Sequence, residues 1–208
     1  MSRGPRRAPP PRCELVSWGR FHTLARRLAL KIRASGYRPD LIVAIGRGGY
    51  MPARVLSDFL DLPDMTGFRI EHYHATRKGR QAVVRHPLSV PLAGRRVLLV
   101  DDVTDSGDTF AVALQHLDAC GPPLEVRTAV LHHKTVSPYV PDYHAQKVVR
   151  WRWIIYPWAV AEDVGGFIRA LSPRPRTPEA LQRHLAREHG VRLPRRLLLD
   201  ILTALGGE

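Results

Sequence analysis

The tract VLLVDDVTDSGDT at residues 97–109 places two adjacent carboxylates behind an apolar run and a Ser-Gly-Asp-Thr turn behind those. VLLV is too short for a helix and β-branched enough for a buried strand. Asp101 and Asp102 then emerge at the strand's carboxyl end, where paired acids suit vicinal ribose hydroxyls or a Mg²⁺ held by diphosphate oxygens. Asp105, Ser106, Gly107, Asp108 and Thr109 lead from there into an expected helix. The small residues admit backbone N–H groups to an anion, Ser106 and Thr109 add hydroxyl donors, and a helix N-terminus adds a favourable dipole. This pattern predicts a pocket for a phosphate monoester. A plainer alternative is a strand–loop–helix whose Asp and Ser residues only cap the helix, although two adjacent acids straight after a strand are harder to explain that way. The tract lacks the GK[ST] ending of a Walker A loop and is not GxGxxG.

A second junction has the same form. LIVAI (41–45) is a short β-branched run, followed by Gly46, Arg47, Gly48 and Gly49 and then a helix near 51–60, with Pro52 tolerated in its first turn. Ligands of parallel sheets bind outside the carboxyl ends of strands, where such loops converge. Glycines here let backbone N–H groups face an anion, with the Arg47 charge nearby; the alternative is a solvated loop arginine.

The remaining elements must position these two loops. Residues 17–35 carry Phe21, Leu24, Ala25, Leu28 and Ile32 at helical spacing, with Ser17 to cap the start and Gly36 the end. Residues 66–74 alternate as a strand, and 75–94 read as a mobile loop or hairpin bearing Arg77, Lys78, Arg80 and Arg85. Strands are expected at 125–133 and 148–156, the latter followed by a helix near 160–171. Strands alternating with helices predict an α/β fold on a mostly parallel sheet. A proline-rich linker opens the region after Ser172, and amphipathic helical patterns cover 178–189 and 194–205. The expected organisation is therefore a disordered basic tail (1–14), a catalytic domain (15–172) and a linker with a two-helix appendage (173–208).

The chain has 208 residues, 44% hydrophobic and 25% charged, enough for one α/β domain and an appendage. No apolar run approaches the roughly 20 residues that cross a bilayer. The N-terminus is basic without an apolar stretch behind it, so no secretory signal is expected. Cys13 and Cys120 show no metal or disulfide spacing, and a cytoplasmic protein with free thiols is the expectation. A net charge of +13 favours polyanionic partners, unless the abundant Arg reflects genome composition.

Residues 97–109 resemble the signature that binds 5-phosphoribosyl-1-diphosphate (PRPP) in type I phosphoribosyltransferases, and the likeness extends over about residues 20–170. IGRGGYMPARVLSDFL resembles the diphosphate-binding loop and helix of xanthine–guanine enzymes, with Gly46 where that pattern often has Ser. LHHKT followed by WIIYPW is similar to their purine-binding part. The resemblance implies a parallel-sheet core with a small hood, and transfer of the phosphoribosyl group from PRPP to hypoxanthine, guanine or xanthine in purine salvage, with Mg²⁺. It implies that Asp101 and Asp102 hold ribose hydroxyls and metal, that Asp105 is the base facing the purine imidazole, and that 105–109 bind the PRPP phosphate. It also implies that Gly46, Arg47, Gly48 and Gly49 bind diphosphate, that Lys134 donates to the 6-oxo group, and that Trp153 stacks on the purine while Ile154 reads its other edge. A non-proline cis peptide is frequent in this family's diphosphate loop. Trp158 and Pro157 shape the pocket, His132 and His133 are structural, and Ala159 stands where relatives commonly have an acid, with Glu162 and Asp163 later. A homo-oligomer, dimer or tetramer, is expected, with no membrane partner. Two rivals stay open: a PRPP-responsive regulator that binds nucleic acid with the same fold, and a transferase for another base.

Overall fold

The computed structural model describes residues 10–75 and 79–206. Arg77, Lys78, the side chain of Arg80 and residues 1–9 lie outside the described part. The chain divides into two compact units: His22–Trp151, and a second made of the residues up to Phe21 together with those from Arg152 on.

The first unit is built on a six-stranded sheet. Its strands are β2 (Leu41–Gly46), β3 (Met65–Ala75), β4 (Gly79–His86), β5 (Arg96–Thr104), β6 (Glu125–Lys134) and β7 (Tyr143–Val148), in the order β4-β3-β2-β5-β6-β7. Every pairing is parallel except the β3–β4 hairpin at one edge. β2 is buried along its whole length, as expected of LIVAI in a parallel sheet covered on both faces. Helices α2 (Tyr50–Leu60) and α3 (Asp108–Ala119) follow β2 and β5. Val43, Ile45, Phe68, Leu99, Phe110, Ala113, Leu117 and Val130 form the core on α3's side. Helix α1 (Trp18–Ala34) starts where Ser17 Oγ accepts from Arg20 N at 3.2 Å, and it buries Leu24, Leu28 and Ile32. Asp61 ends α2 in the left-handed region.

The second unit holds β1 (Cys13–Leu15) paired parallel with β8 (Trp153–Ile155), and helices α4 (Val160–Arg169), α5 (Pro178–His189) and α6 (Arg195–Ala204). Thr177 caps α5 by accepting from Ala180 N, Pro178 occupies the first turn, and Gly190 ends the helix with a positive φ. Ile155, Val164, Ile168, Leu181, Leu185, Leu198 and Ile201 make its core.

The fold is the expected α/β one, and three local readings change. The tract 148–156 is two strands. β7 ends at Val148 and β8 starts at Trp153, because the alternation of VVRWRWIIY carries Arg150, Trp151 and Arg152 through an irregular link. YHAQKV, too polar to read as a strand, extends the main sheet as an edge strand buried at alternate positions. Of the two alternatives for residues 75–94, loop or hairpin, the hairpin is the one formed, with β4 as its returning arm. Cys13 and Glu14, placed in the tail from sequence, are in β1 with Leu15. No helix among the described residues is long and apolar enough to cross a membrane.

Candidate active site

β2 and β5 are parallel neighbours, with Ala44 opposite Val100, so their carboxyl ends open on one edge of the sheet. Gly46–Gly49 and Asp101–Thr109 emerge there side by side. Gly48 is where they meet: a Cβ at this position would lie 2.6 Å from Cγ and both carboxylate oxygens of Asp102. A Cβ on Gly49 would run into the backbone oxygen of Val100 and lie 2.7 Å from that of Ile45. Both glycines are thus demanded by close approach. The Gly46–Arg47 peptide bond is cis, as the resemblance implied. Arg47 is exposed.

Asp101 is buried, 8% exposed, and its Oδ1 accepts from Asp102 N at 2.9 Å. Burial, and then the adjacent Asp102 charge, push its carboxyl well above the usual carboxylate range. An added cation is what such a pair accommodates. Among the described residues no three His, Cys, Asp or Glu side chains gather into a metal cage. Two carboxylates fit a Mg²⁺ whose other ligands are water and substrate phosphates.

Beyond β5 the chain turns through Asp105 and Ser106 into α3. Gly107, with φ +86°, is its N-cap and backs onto Tyr139, whose Cβ would lie 2.9 Å from a Cβ at 107. Tyr139 is held in turn by stacking on Phe110, at 4.9 Å and 5° between rings, and by Ser137. The turn is therefore fixed from below, while Ser106 and Asp108 are exposed on its outer side. The N–H groups of a first helical turn have no intrahelical acceptor, so this end can take an anion.

Asp105 does not cap α3, whose N-cap is Gly107 and carries no side-chain cap. Its Oδ2 accepts from Lys134 Nζ at 2.6 Å, and its Oδ1 from Trp151 Nε1 at 3.0 Å. Lys134 ends β6, with its side chain only 4% exposed, and its ammonium lies 4.5 Å from the centroid of the Trp151 ring. His133 donates to or accepts from Thr104 Oγ1 at 2.8 Å, and His132 is fully buried, so both are packed parts of β6.

The six-stranded unit thus collects Gly46, Arg47, Gly48, Gly49, Asp101, Asp102, Asp105, Ser106, Gly107, Asp108, Thr109 and Lys134. Trp153 and Ile154 belong to the other unit, on β8, where Trp153 N donates to Arg12 O at 2.9 Å and Ile154 is buried. There Trp158 stacks on Tyr156 at 4.8 Å and meets Phe21 edge-on at 4.9 Å, a packing role, and Glu162 and Asp163 lie in the first turn of α4. Sequence reasoning missed Trp151 and Tyr139. Trp151 is 46 positions from Asp105, a separation no local pattern bridges; its one signal is the RWRW alternation, which puts it in phase with Trp153.

Known proteins of one kind resemble the chain in sequence and in fold. At the level of sequence the chain is 28% identical to a hypoxanthine-guanine phosphoribosyltransferase of Saccharomyces cerevisiae, over 73% of this chain and 87% of that one. It is likewise 28% identical to a xanthine-guanine phosphoribosyltransferase of Cereibacter sphaeroides, over 70% of this chain and 86% of the relative. The crystal structure of a purine phosphoribosyltransferase from Pyrococcus horikoshii superposes with a TM-score of 0.62 at 32% identity, covering 70% of this chain and 93% of that one. The phosphoribosyl transferase domain profile matches residues 13–163, and the chain therefore belongs to the phosphoribosyl transferase family.

Proposed function

We propose that the protein transfers the phosphoribosyl group of PRPP to a 6-oxopurine, giving a nucleoside 5′-monophosphate and diphosphate. The observation that carries the substrate class is the Lys134–Asp105 pair at 2.6 Å, next to a helix N-terminus built for an anion. In this reading the N–H groups of 107–109, with Ser106 and Thr109, bind the 5′-phosphate. Gly46–Gly49 and Arg47 bind the diphosphate, and Asp101 and Asp102 hold the ribose hydroxyls together with a Mg²⁺ carried by substrate oxygens. The metal supplies charge neutralisation on the departing diphosphate.

The bond from purine N9 to C1′ forms as the bond from C1′ to diphosphate oxygen breaks, and the electron pair leaves with diphosphate. Asp105 takes the proton from N7 of the base as the glycosidic bond forms. Lys134 donates to the 6-oxo oxygen. The chain's residues otherwise position and stabilise charge, with little covalent work of their own.

A panel of free bases with PRPP and Mg²⁺, followed by nucleotide formation, tests this. Hypoxanthine, guanine or xanthine is turned over, and adenine is poor, because its 6-amino group would bring a donor against the Lys134 ammonium, itself a donor. Lys134→Ala harms base use far more than PRPP binding. Best turnover of adenine, or base kinetics unmoved in Lys134→Ala, overturns the 6-oxopurine assignment.

A further inference from the structure

Trp151 stands where no base-reading residue was expected, and it touches both groups assigned to the base. Its indole N–H donates to Asp105 Oδ1 at 3.0 Å, and its ring face lies 4.5 Å from the Lys134 ammonium. Indole is a fused five- and six-membered ring that offers an N–H from the five-membered part, as a purine offers its imidazole N–H. Lys134 and Asp105 touch at 2.6 Å, and the indole lies against both. A base that gives this N–H to Asp105 and its 6-oxo oxygen to Lys134 needs that same place beside the pair.

We propose that Trp151 is a surrogate for the purine base: in the ligand-free protein it occupies the base's place at Asp105 and Lys134, and it competes with the incoming base. The inference rests on the 6-oxopurine reading above. Three features fit an exchangeable occupant rather than a core residue. The side chain is 46% exposed, although its partner Lys134 is buried. Residues 149–152 lie outside both β7 and β8, so the indole can leave without breaking a ladder hydrogen bond. Its contacts are ones a 6-oxopurine replaces in kind: an N–H donor for Asp105, and an acceptor for the Lys134 ammonium in place of the ring face. Adenine replaces only the first. Displacing Trp151 therefore costs adenine a cation–π contact that a 6-oxopurine recovers as a hydrogen bond. Trp151 is thus a specificity-determining residue that sets the KM for the base.

The test uses the full chain and Trp151→Phe, which keeps a ring and removes the N–H donor. The KM for hypoxanthine falls about tenfold in the variant, the size of one hydrogen bond to a charged acceptor, while the KM for PRPP moves much less. In the wild-type protein the Trp151 indole N–H signal, assigned in ¹H–¹⁵N spectra by its loss in the variant, shifts when hypoxanthine is added with diphosphate and Mg²⁺. An unchanged or raised base KM in Trp151→Phe overturns the proposal, since the indole then helps to hold the base; so does an indole signal that hypoxanthine does not move. Wild-type protein that makes no nucleotide from any 6-oxopurine sinks the functional reading itself, and the surrogate role with it. Turnover by the wild type with a failed Trp151 arm sinks only the surrogate role.

Discussion

The two strand–loop–helix junctions at the edge of the sheet are alike in backbone plan and opposite in how they are built. The β5–α3 junction presents side chains: two acids, then Asp105, Ser106 and Thr109. The β2–α2 junction is shaped by what is missing, because at Gly48 and Gly49 there is no room for a methyl group between the loop and Asp102, Val100 and Ile45. One junction offers functional groups, and the other offers bare backbone brought close to its neighbour. Substitutions should therefore fail in different ways. Adding atoms ruins the β2–α2 loop, whereas removing functional groups silences the β5–α3 loop and leaves it folded.

Gly49→Ala is the severest way to test the first half of that contrast. The new Cβ meets main-chain atoms of Val100 and Ile45, which belong to the two central strands and cannot rotate aside. Relief requires separating β2 from β5, at a cost of about 3 kcal/mol. Urea unfolding followed by circular dichroism should show a lower midpoint together with loss of activity. A variant with a wild-type midpoint would mean that the close approach is not a constraint.

The double variant Asp101→Asn, Asp102→Asn tests the other half. Asparagine keeps the shape of each side chain, so the unfolding midpoint stays near that of the wild type. Nucleotide formation, and PRPP binding in the presence of Mg²⁺, should be lost, with turnover down about 10³-fold, the scale of removing electrostatic stabilisation from a transition state. Near-normal turnover contradicts the role of the pair, and an unfolded variant contradicts the contrast between the junctions.

How much of this the sequence disclosed follows from the range of the interactions. Apolar runs of strand length flanked by glycine located β2, β5 and both junctions. Ser17 and Gly36 marked the ends of α1 because capping is decided within a few residues. The edge strand β7 was missed because half of its residues are polar, and β1 because three residues give no period. For the candidate site, residue types pointed to Asp101, Asp102 and the turn to α3, whereas Lys134 was picked out by the family pattern. Trp151 on Asp105 and Tyr139 beneath Gly107 are products of packing across the sheet, which no spacing along the chain encodes.

Gly46 makes the contrast finer, since it lies in the same loop as Gly49 but against a different neighbour. A Cβ at 46 would lie 2.6 Å from the hydroxyl of Tyr50, the far end of an exposed side chain, which can swing toward solvent. Gly46→Ala should cost about 1 kcal/mol, well below Gly49→Ala. Tyr50→Leu placed in the same chain should recover most of that loss, as measured by the urea midpoint. Equal losses at 46 and 49 would show that backbone conformation, rather than the neighbouring atom, decides both.

The smallest effect is expected at the opposite ends of the same two strands, where they are tied together away from the site. Asp40 precedes β2 and Arg96 opens β5. Asp40 Oδ2 accepts from Arg96 N at 2.8 Å and Nε at 3.1 Å, and Oδ1 accepts from Nη2 at 2.7 Å. These hydrogen bonds and the guanidinium charge hold the Asp40 carboxyl down at about 2. A depressed folded-state value contributes stability that is complete above the unfolded-state value of 3.8 and is lost as pH falls through about 2. Both side chains are 41% exposed, so solvent screens the pair and the contribution is small. Asp40→Asn should therefore lower Tm slightly at pH 7, and the gap to wild type should close as the pH approaches 2. Turnover should stay at the wild-type level, because the pair lies at the ends of the strands that carry no site residue. A loss of activity without a loss of stability would show that the amino ends of β2 and β5 set the geometry of the two junctions at their carboxyl ends.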